Sequence, residues 1–398
     1  MKRSFIREIL ECTTRDTISF AGGLPDEKLF PNLDLKESAK NVLDDANTLQ
    51  YATTSGLEAL REKIADIYTK NGFETKANNI LITSGAQQAL DIIARHNKCK
   101  SITIESPSYL GAMNVFGMNG LTQDAIALED DGINMDMFDA SFKSTNLAYL
   151  ITDHQNPTGY TYSDAKRADI ANIVEKYSGV LIEDSPYSEL YFEKKYQSIS
   201  SMIPSNSFHL GSFSKTLAPA LRIGWIRADD QLLEPLIAYK EAMDLHTNGL
   251  SQSILNDYLK HAGRYDEHLA LLRKVYAKKM QIFKGYLDEL LPEFVYTKPK
   301  GGMFIYGELP DIDTSELVQK CLASGVVFVP GKEFFADGLK NSEIRFNFTH
   351  CKTVDIVRGL NVIQGVLKES RDADYLLGGM AIADSVRPLN SKYISPQL

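Results

Sequence analysis

The sequence is poor in cysteine and in basic residues, and each shortage argues against a class of protein. Its four cysteines lie far apart with no C-x-x-C pair, so neither a zinc site nor a disulfide framework is indicated. The 43 lysines and arginines are outnumbered by 52 aspartates and glutamates. The resulting net charge of −9 argues against a nucleic-acid or anionic-membrane surface, since both need a basic footprint.

Long apolar runs are also lacking. No run is long enough to span a bilayer, and the N-terminal segment MKRSFIREILECTTRD lacks the apolar core of a signal peptide. We therefore expect a cytoplasmic protein with reduced thiols. The 398 residues, 43% hydrophobic and 24% charged, are typical of a globular chain that is long enough for two domains.

Short apolar runs alternate with helical stretches through the first two thirds of the chain. Runs such as NILIT, SITIE, NLAYLIT, GVLIED and NSFHLGS predict strands, and LEALREKIADIYTKN and SDAKRADIANIVEKY have helical spacing. This alternation predicts an α/β fold with a mostly parallel sheet between helices. After about residue 244, long helical periodicity and then strand-like segments indicate a smaller α+β unit.

Polar residues stand where the apolar runs stop, and in parallel sheets ligands bind beyond the carboxyl ends of the strands. Five such segments, which we expect to converge on one crevice, are residues 84–87, 106–109, 153–156, 184–187 and 212–215.

The last of these segments begins GSFSKTLAPALRIGWI, which holds Lys215 and Arg222 in an apolar context where an unpaired charge is costly. A lysine beside hydroxyls and a guanidinium suits a phosphorylated aldehyde, because the amine can form a Schiff base while the other groups hold the phosphate. A structural or solvated lysine explains the local pattern equally well.

The segment SFSKTLAPALRIGW resembles the cofactor-lysine signature of the class I/II aminotransferases, the pyridoxal-phosphate (PLP) enzymes of fold type I. Other segments match that family in the family's order: SFAGGLPDEKLFP, QYATTSGLEALREKIADIY, TSGAQQALD, ESPSY, QNPTG, IEDSPY, GGMFIYGELP and IRFNFTH. The subgroup it most resembles includes the 2-aminoadipate, kynurenine and branched-chain or aromatic aminotransferases.

The resemblance implies an aspartate-aminotransferase-like fold. Its large domain has a mostly parallel, seven-stranded sheet between helices, and its smaller domain is α+β. We place the large PLP-binding domain at residues 45–287 and the small domain at residues 1–44 and 288–398. Residues 371–398 have weak periodicity and remain unassigned.

The resemblance also implies roles at the cofactor ring. Lys215 would form the internal aldimine and later act as general acid and base, for which a buried lysine of lowered pKa is suited. Asp184 would pair with the pyridine nitrogen and strengthen the ring as an electron sink. Asn156 and Tyr187 would hydrogen-bond the 3′ oxygen, and Tyr109 would stack on the ring.

The implied phosphate site lies at a helix N-terminus. Its residues are Gly85, Ala86, Gln87, Ser212, Ser214 and Arg222. Ala86 stands where many relatives carry Ser or Thr, so one hydroxyl donor is missing and the backbone N–H remains. Tyr51 would reach the phosphate of a neighbouring subunit, which implies a homodimer.

For the substrate, Arg345 would clamp the α-carboxylate through two parallel hydrogen bonds, beside Asn156. Gly23 would present backbone close to the substrate. Arg3 and Arg7 lie near the segment that covers the side-chain pocket in this subgroup, without an assigned role. IEDSPY departs from a common form that has a second acidic residue where Ser185 stands.

We therefore expect a PLP-dependent aminotransferase that moves the amino group of an L-α-amino acid to a 2-oxo acid, 2-oxoglutarate, by a ping-pong route. Its partners would be these small molecules, with no metal, nucleic acid or membrane. A β-lyase or decarboxylase would use the same lysine, aspartate and phosphate site. A non-enzymatic effector-binding regulator is a further alternative, whereas a serine hydrolase lacks support because no G-x-S-x-G motif is present.

Overall fold

The computed structural model describes residues 11, 13, 14, 16–338 and 340–385, with only the backbone for residues 372–385. Arg3, Arg7 and Cys12 lie outside the described residues, as do residues 386–398 of the unassigned tail. Within the described part, no helix is both long and apolar enough to cross a membrane.

The largest sheet has eight strands in the order β2-β9-β8-β7-β6-β3-β4-β5. Their bounds are β2 Ile80–Thr83, β3 Ser101–Ser106, β4 Thr122–Glu129, β5 Gly132–Ile133, β6 Leu147–Leu150, β7 Val180–Asp184, β8 Ser207–Ser212 and β9 Gly224–Arg227. Strands β4, β3, β6, β7 and β8 pair in parallel, whereas β9 pairs antiparallel with β8 and β2. The two-residue β5 adds an antiparallel edge to β4.

Helices cover both faces of this sheet. The helices through this part of the chain are α1 Asn32–Leu43, α2 Glu58–Lys70, α3 Ala86–His96, α4 Leu110–Met118, α5 Met135–Thr145, α6 Asp164–Tyr177, α7 Asp230–Asp244, α8 Gly249–Lys260 and α9 Arg264–Leu290. Neighbouring residues of β7 belong to different cores, because side chains alternate along a strand. Leu181 packs with Phe142 of α5 and Val174 of α6, and Ile182 packs with Leu90 of α3.

Two smaller sheets in the described part of the chain accompany the large one. Strands β10 Val295–Tyr296, β11 Phe304–Glu308, β13 Val329–Pro330 and β14 Glu343–Asn347 form an antiparallel sheet in the order β10-β11-β14-β13. A parallel pair joins β1 Ile18–Ser19 to β12 Val326–Val327. The helices of this part are α10 Thr314–Ala323 and α11 Thr353–Ser385, so α11 continues through residue 371 into the unassigned region.

The predicted α/β architecture is confirmed, with seven main strands and the short β5 beyond them. Strands β4 and β9 are additions to the strands that the sequence predicts. The domain limits at residues 45 and 287 stay predictions. Helix α9 crosses residue 287 without a break, and β1 brings the N-terminal segment to the side of β12.

Candidate active site

Lys215 lies three residues beyond β8, at the carboxyl edge of the parallel strands. Its Nζ donates a hydrogen bond of 2.8 Å to the carbonyl oxygen of Gly23. Burial, with smaller contributions from the positive charges of Arg345 and Arg222, lowers the pKa of Lys215 to about 8. Burial and the two nearby cations thus favour the uncharged amine, which is the nucleophilic form.

Asp184 is the last residue of β7 and is fully buried. Its Oδ2 accepts a hydrogen bond of 2.9 Å from the Tyr149 hydroxyl, while its Oδ1 is buried without a partner among the described residues. Burial raises the pKa of Asp184 to about 7, against the opposing effect of the Tyr149 hydrogen bond. The buried carboxylate therefore needs a further hydrogen-bond donor, and a cationic ring N–H would supply one.

Asn156 links two other predicted residues. Its Nδ2 donates to the Tyr187 hydroxyl at 3.4 Å, and its Oδ1 accepts from Arg345 Nη1 at 2.7 Å. Arg345 Nη2 donates to the carbonyl oxygen of Ala21 at 2.5 Å, and Nε is buried without a partner among the described residues. Burial lowers the pKa of Arg345 to about 10, which leaves the guanidinium charged at neutral pH.

The turn between β2 and α3 allows the Arg222 side chain to approach its backbone closely. Gly85 is the N-cap of α3 with φ of 89°, and a Cβ there would lie 2.6 Å from Arg222 Nη2. Glycine offers no capping side chain, and the N–H groups of Ala86 and Gln87 have no acceptor among the described residues, so both can bind an anion. Arg222, itself at φ of 54°, donates from Nη2 to the carbonyl oxygen of Ser84 at 2.9 Å.

The two serines before Lys215 stand on the same edge. Ser214 N donates to Ser212 Oγ at 3.1 Å, and that hydroxyl donates to the Ile223 carbonyl at 3.3 Å. These bonds fold the β8–Lys215 turn against the segment that leads into β9. Arg222, Ser212 and the start of α3 are thereby held around one edge, so the donors fit a phosphate group.

Tyr109 and Gly23 also face this region. The Tyr109 hydroxyl donates to Gln87 Oε1 at 3.2 Å, which joins the end of β3 to the start of α3. A Cβ at Gly23 would lie 3.4 Å from Phe304 Cζ and 4.0 Å from Lys215 Nζ. By contrast, Tyr51 is 79% exposed and makes an edge contact with His246, away from the cluster of this chain.

Sequence reasoning missed Tyr149 and the carbonyl of Ala21. Tyr149 lies in the apolar run of β6, where an aromatic residue predicts core packing, and no local pattern reveals that its hydroxyl meets Asp184. Backbone carbonyls carry no sequence signal at all. Only the pairing of β6 with β7 brings Tyr149 beside the carboxylate.

The site as a whole fits PLP. Asp184 Oδ1, which has no partner in the described part of the chain, suits the ring nitrogen. The start of α3 with Arg222 suits the phosphate, and Lys215 suits an aldehyde. The unpartnered Nε of Arg345 adds a buried donor for a substrate carboxylate.

Comparisons with known proteins agree with this geometry. Residues 16–363 match the family model for class I and II aminotransferases. The chain is 35% identical to aromatic-amino-acid aminotransferase 1 of Thermococcus litoralis, over 93% of this chain and 92% of the relative. It is 34% identical to 2-aminoadipate transaminase of Thermus thermophilus, over 92% and 94%.

A solved structure shows the same fold. The kynurenine aminotransferase of Pyrococcus horikoshii superposes with a TM-score of 0.87 at 32% identity, covering 93% of this chain and 95% of that one. This chain therefore belongs to the class I and II aminotransferase family, and it is a PLP-dependent aminotransferase.

Proposed function

We propose that the protein transfers the amino group of an L-α-amino acid to a 2-oxo acid in two successive half-reactions at one site, with 2-oxoglutarate as the acceptor. The observation that carries this proposal is the position of Lys215, whose amine has a lowered pKa and lies within the influence of Arg345. An amine that exchanges protons near neutral pH beside a carboxylate-binding guanidinium suits chemistry at the α-carbon of an amino acid.

We assign the cofactor-holding roles residue by residue. The N–H groups of Gly85, Ala86 and Gln87, with Ser212, Ser214 and Arg222, hold the phosphate. Asp184 holds the ring nitrogen, Tyr109 covers the ring, and Asn156 and Tyr187 bind the 3′ oxygen. When bound, PLP carries the amino group between the two substrates and withdraws electrons from the α-carbon.

Lys215 takes the proton from the substrate α-carbon and later returns one. Its pKa of about 8 is close to neutral pH, so it can serve as the base and, once protonated, as the acid. In the cofactor-free chain, its hydrogen bond to the carbonyl oxygen of Gly23 holds Nζ at the inner edge of the site.

Arg345 binds the α-carboxylate. Two aromatic rings cover it, with its guanidinium carbon 4.3 Å from the Phe304 ring centroid and 5.0 Å from that of Phe334. A carboxylate can therefore replace the neutral acceptors Asn156 Oδ1 and Ala21 O with a charge-assisted, two-pronged pair.

A second copy of the chain completes the site in this proposal. Tyr51 and the neighbouring Leu49 are 79% and 69% exposed, which is unusual for two large apolar side chains close in sequence. In a homodimer, Tyr51 reaches the phosphate held by the partner subunit. We further propose a cytoplasmic location and a domain division at residues 45 and 287.

The test uses purified protein with PLP. Addition of a donor amino acid should shift the visible absorption band of the bound cofactor, and 2-oxoglutarate should restore it. A screen of donors with 2-oxoglutarate, including aromatic amino acids, kynurenine and 2-aminoadipate, then identifies the preferred substrate. No shift with any amino acid would contradict the proposal.

Two comparisons separate the alternatives. Lys215→Ala should abolish turnover, whereas Lys278→Ala on the exposed side of α9 should leave it unchanged. Release of pyruvate and ammonia without a second substrate would indicate a β-lyase. Absence of turnover, together with amino-acid binding that survives Lys215→Ala, would indicate a regulator.

A further inference from the structure

A cavity of about 550 Å³ lies behind the candidate active site. It is bounded by the end of α2, the segment after β7, the cavity-facing residues of β8 and β9, and the start of α9. Its volume is in the range of small-molecule sites. Of the residues assigned to the aminotransferase reaction, only Ser212 borders this space.

Strands β7 and β8 separate the cavity from the cofactor side of the sheet. Asp184 and Ser185 are consecutive, so their side chains leave the backbone in opposite directions, and Ser185 lines the cavity. On β8, His209 and Gly211 line it as well, whereas Leu210 between them packs in the core beside α3. The cavity is thus a distinct compartment that shares its dividing wall with the active site.

Aromatic rings form much of the wall. Phe73, Tyr265 and Trp225 line the cavity, and Trp225 lies so close over Gly211 that a Cβ there would be 2.2 Å from its Cζ2. Such flat, apolar walls favour a planar ring as the occupant.

A buried hydrogen-bond network joins Trp225, Tyr68 and His209. Trp225 Nε1 donates to the Tyr68 hydroxyl at 2.8 Å, and that hydroxyl lies 2.7 Å from His209 Nδ1. Burial lowers the pKa of His209, which favours the neutral ring. A neutral ring that accepts the Tyr68 hydroxyl proton at Nδ1 carries its own proton on Nε2.

The other polar groups of the cavity wall favour a ligand that accepts hydrogen bonds over a cationic ligand. Both carboxylates of the lining are already paired: Asp153 with Arg167 at 2.8 Å, and Glu189 with Lys195 and Arg273. Ser185 is 6% exposed, and its Oγ has no partner among the described residues. Among the buried polar side chains of the lining, His209 Nε2 and the Ser185 hydroxyl therefore have no partner among the described residues and are available to recognise a ligand.

We propose that this cavity is a second binding site, for a small aromatic carboxylate, with the ring between Trp225, Phe73 and Tyr265 and the carboxylate at His209 Nε2 and Ser185 Oγ. A carboxylate at position 185, as in the common form of the motif, would repel the same ligand.

The chain carries its own reporter, because Trp225 is its single tryptophan. Titration of the PLP-loaded protein with benzoate should produce a saturable change in tryptophan emission, with a Kd on the order of a millimolar for so small a ligand. The cofactor absorption band, recorded in parallel, reports binding at the active site. Cyclohexanecarboxylate should bind several-fold more weakly, and benzylamine should produce no response.

Matched variants show whether benzoate binds in this cavity. Ser185→Ala should weaken benzoate binding about fivefold, because it removes the unpartnered hydroxyl, whereas Ser188→Ala should not, because that hydroxyl already donates to the Ser185 carbonyl. Ser201→Phe on the cavity wall should abolish the response, and Ser205→Phe outside it should not.

The active-site variant Arg345→Ala decides between the two compartments. The emission response to benzoate should persist in it with unchanged Kd. Loss of the response in Arg345→Ala, or its retention in Ser201→Phe with the fold intact by circular dichroism, would overturn the second site. Absence of any response in the wild-type protein would also overturn it, and transaminase activity would be unaffected by that result.

Discussion

Tyr149 donates a hydrogen bond to one oxygen of Asp184 and leaves the other oxygen without a partner among the described residues, although both side chains are buried. The hydroxyl thus fixes the rotation of the carboxylate and partly offsets the effect of burial on its pKa. In the proposed function, Tyr149 is a positioning residue, because it acts on the cofactor through Asp184.

Tyr149→Phe should raise the pKa of Asp184 further and so weaken its hold on a protonated ring nitrogen. We expect PLP to bind about tenfold more weakly and kcat to fall by a similar factor. The pH at which the cofactor absorption band titrates should also shift, and spectrophotometric titration measures that shift.

Tyr162→Phe is the matched control for this change. Tyr162 is also fully buried and donates its hydroxyl to a carboxylate, Glu105, at 2.8 Å. The control should lose stability without the shift in the absorption titration. Equal shifts in both variants would show that a general loosening of the core, and not the position of Asp184, is responsible.

The raised pKa of Asp184 predicts how the stability of the cofactor-free protein depends on pH. The folded state holds this proton more tightly than the unfolded chain, so the group stabilises the fold below its usual pKa of 3.8. That contribution is lost as the pH rises to about 7. Relative to the wild type, Asp184→Asn should therefore gain up to about 4 kcal/mol between about pH 4 and about pH 8.

Chemical denaturation of both cofactor-free proteins at the two pH values measures this difference. Other buried acids, such as Glu105, are common to both proteins and cancel in the comparison. A stability difference that does not change with pH would contradict the assigned pKa.

The lowered pKa of Lys215 predicts the pH dependence of cofactor uptake. The rate at which PLP reacts with the cofactor-free protein should rise with pH, with an inflection near 8 and a plateau above it, well below the usual lysine pKa of 10.5. Arg345→Gln removes one of the cations that lower this pKa, so its inflection should lie at higher pH. Identical inflections in both proteins would show that Arg345 has no influence on the lysine.

Arg345→Lys should separate geometry from charge at the substrate carboxylate. A lysine keeps the positive charge but loses the planar pair of donors, so we expect kcat/KM for an amino-acid donor to fall about a hundredfold. Arg358→Lys, on an exposed position of α11, is the control and should leave kcat/KM unchanged. An unaffected Arg345→Lys enzyme would assign the carboxylate to another residue.

The proposed role of Tyr51 across the interface is tested by mixing subunits. Tyr51→Ala and Lys215→Ala proteins should each have little activity. After dissociation and reassembly, a mixed dimer has one site with the intact Lys215 of one chain and the intact Tyr51 of the other, so activity should rise above the sum of the two. No rise in verified mixed dimers would place Tyr51 outside the partner's site.

The sequence was most informative where strands end. The order of strands and helices predicted the α/β sheet, and the motif around Lys215 identified the family. Strand β4 was missed because most of its residues are exposed or half-buried and lie near the edge of the sheet, so it lacks a buried apolar run. Strand β9 was missed because its four residues GWIR give too short a pattern, and Arg227 looks like a surface residue although it is buried.

Contacts between distant residues were out of reach of any local pattern. The hydroxyl of Tyr149, the carbonyl of Ala21 and the cavity beside Ser185 depend on which strands pair and which side each faces. The sequence did mark Ser185 as a departure from the family motif, but only the structure places this residue on the wall of the cavity.

The covering of Arg345 by Phe304 and Phe334 has a stereochemical consequence. With a ring on the guanidinium, a carboxylate can approach only edge-on, and its plane is then fixed with that of the arginine. In the proposed function, a substrate held by Arg345 keeps one internal rotation, about the bond between the carboxylate carbon and the α-carbon. For a given rotation, the handedness of the α-carbon then determines whether its hydrogen or its side chain points toward Lys215.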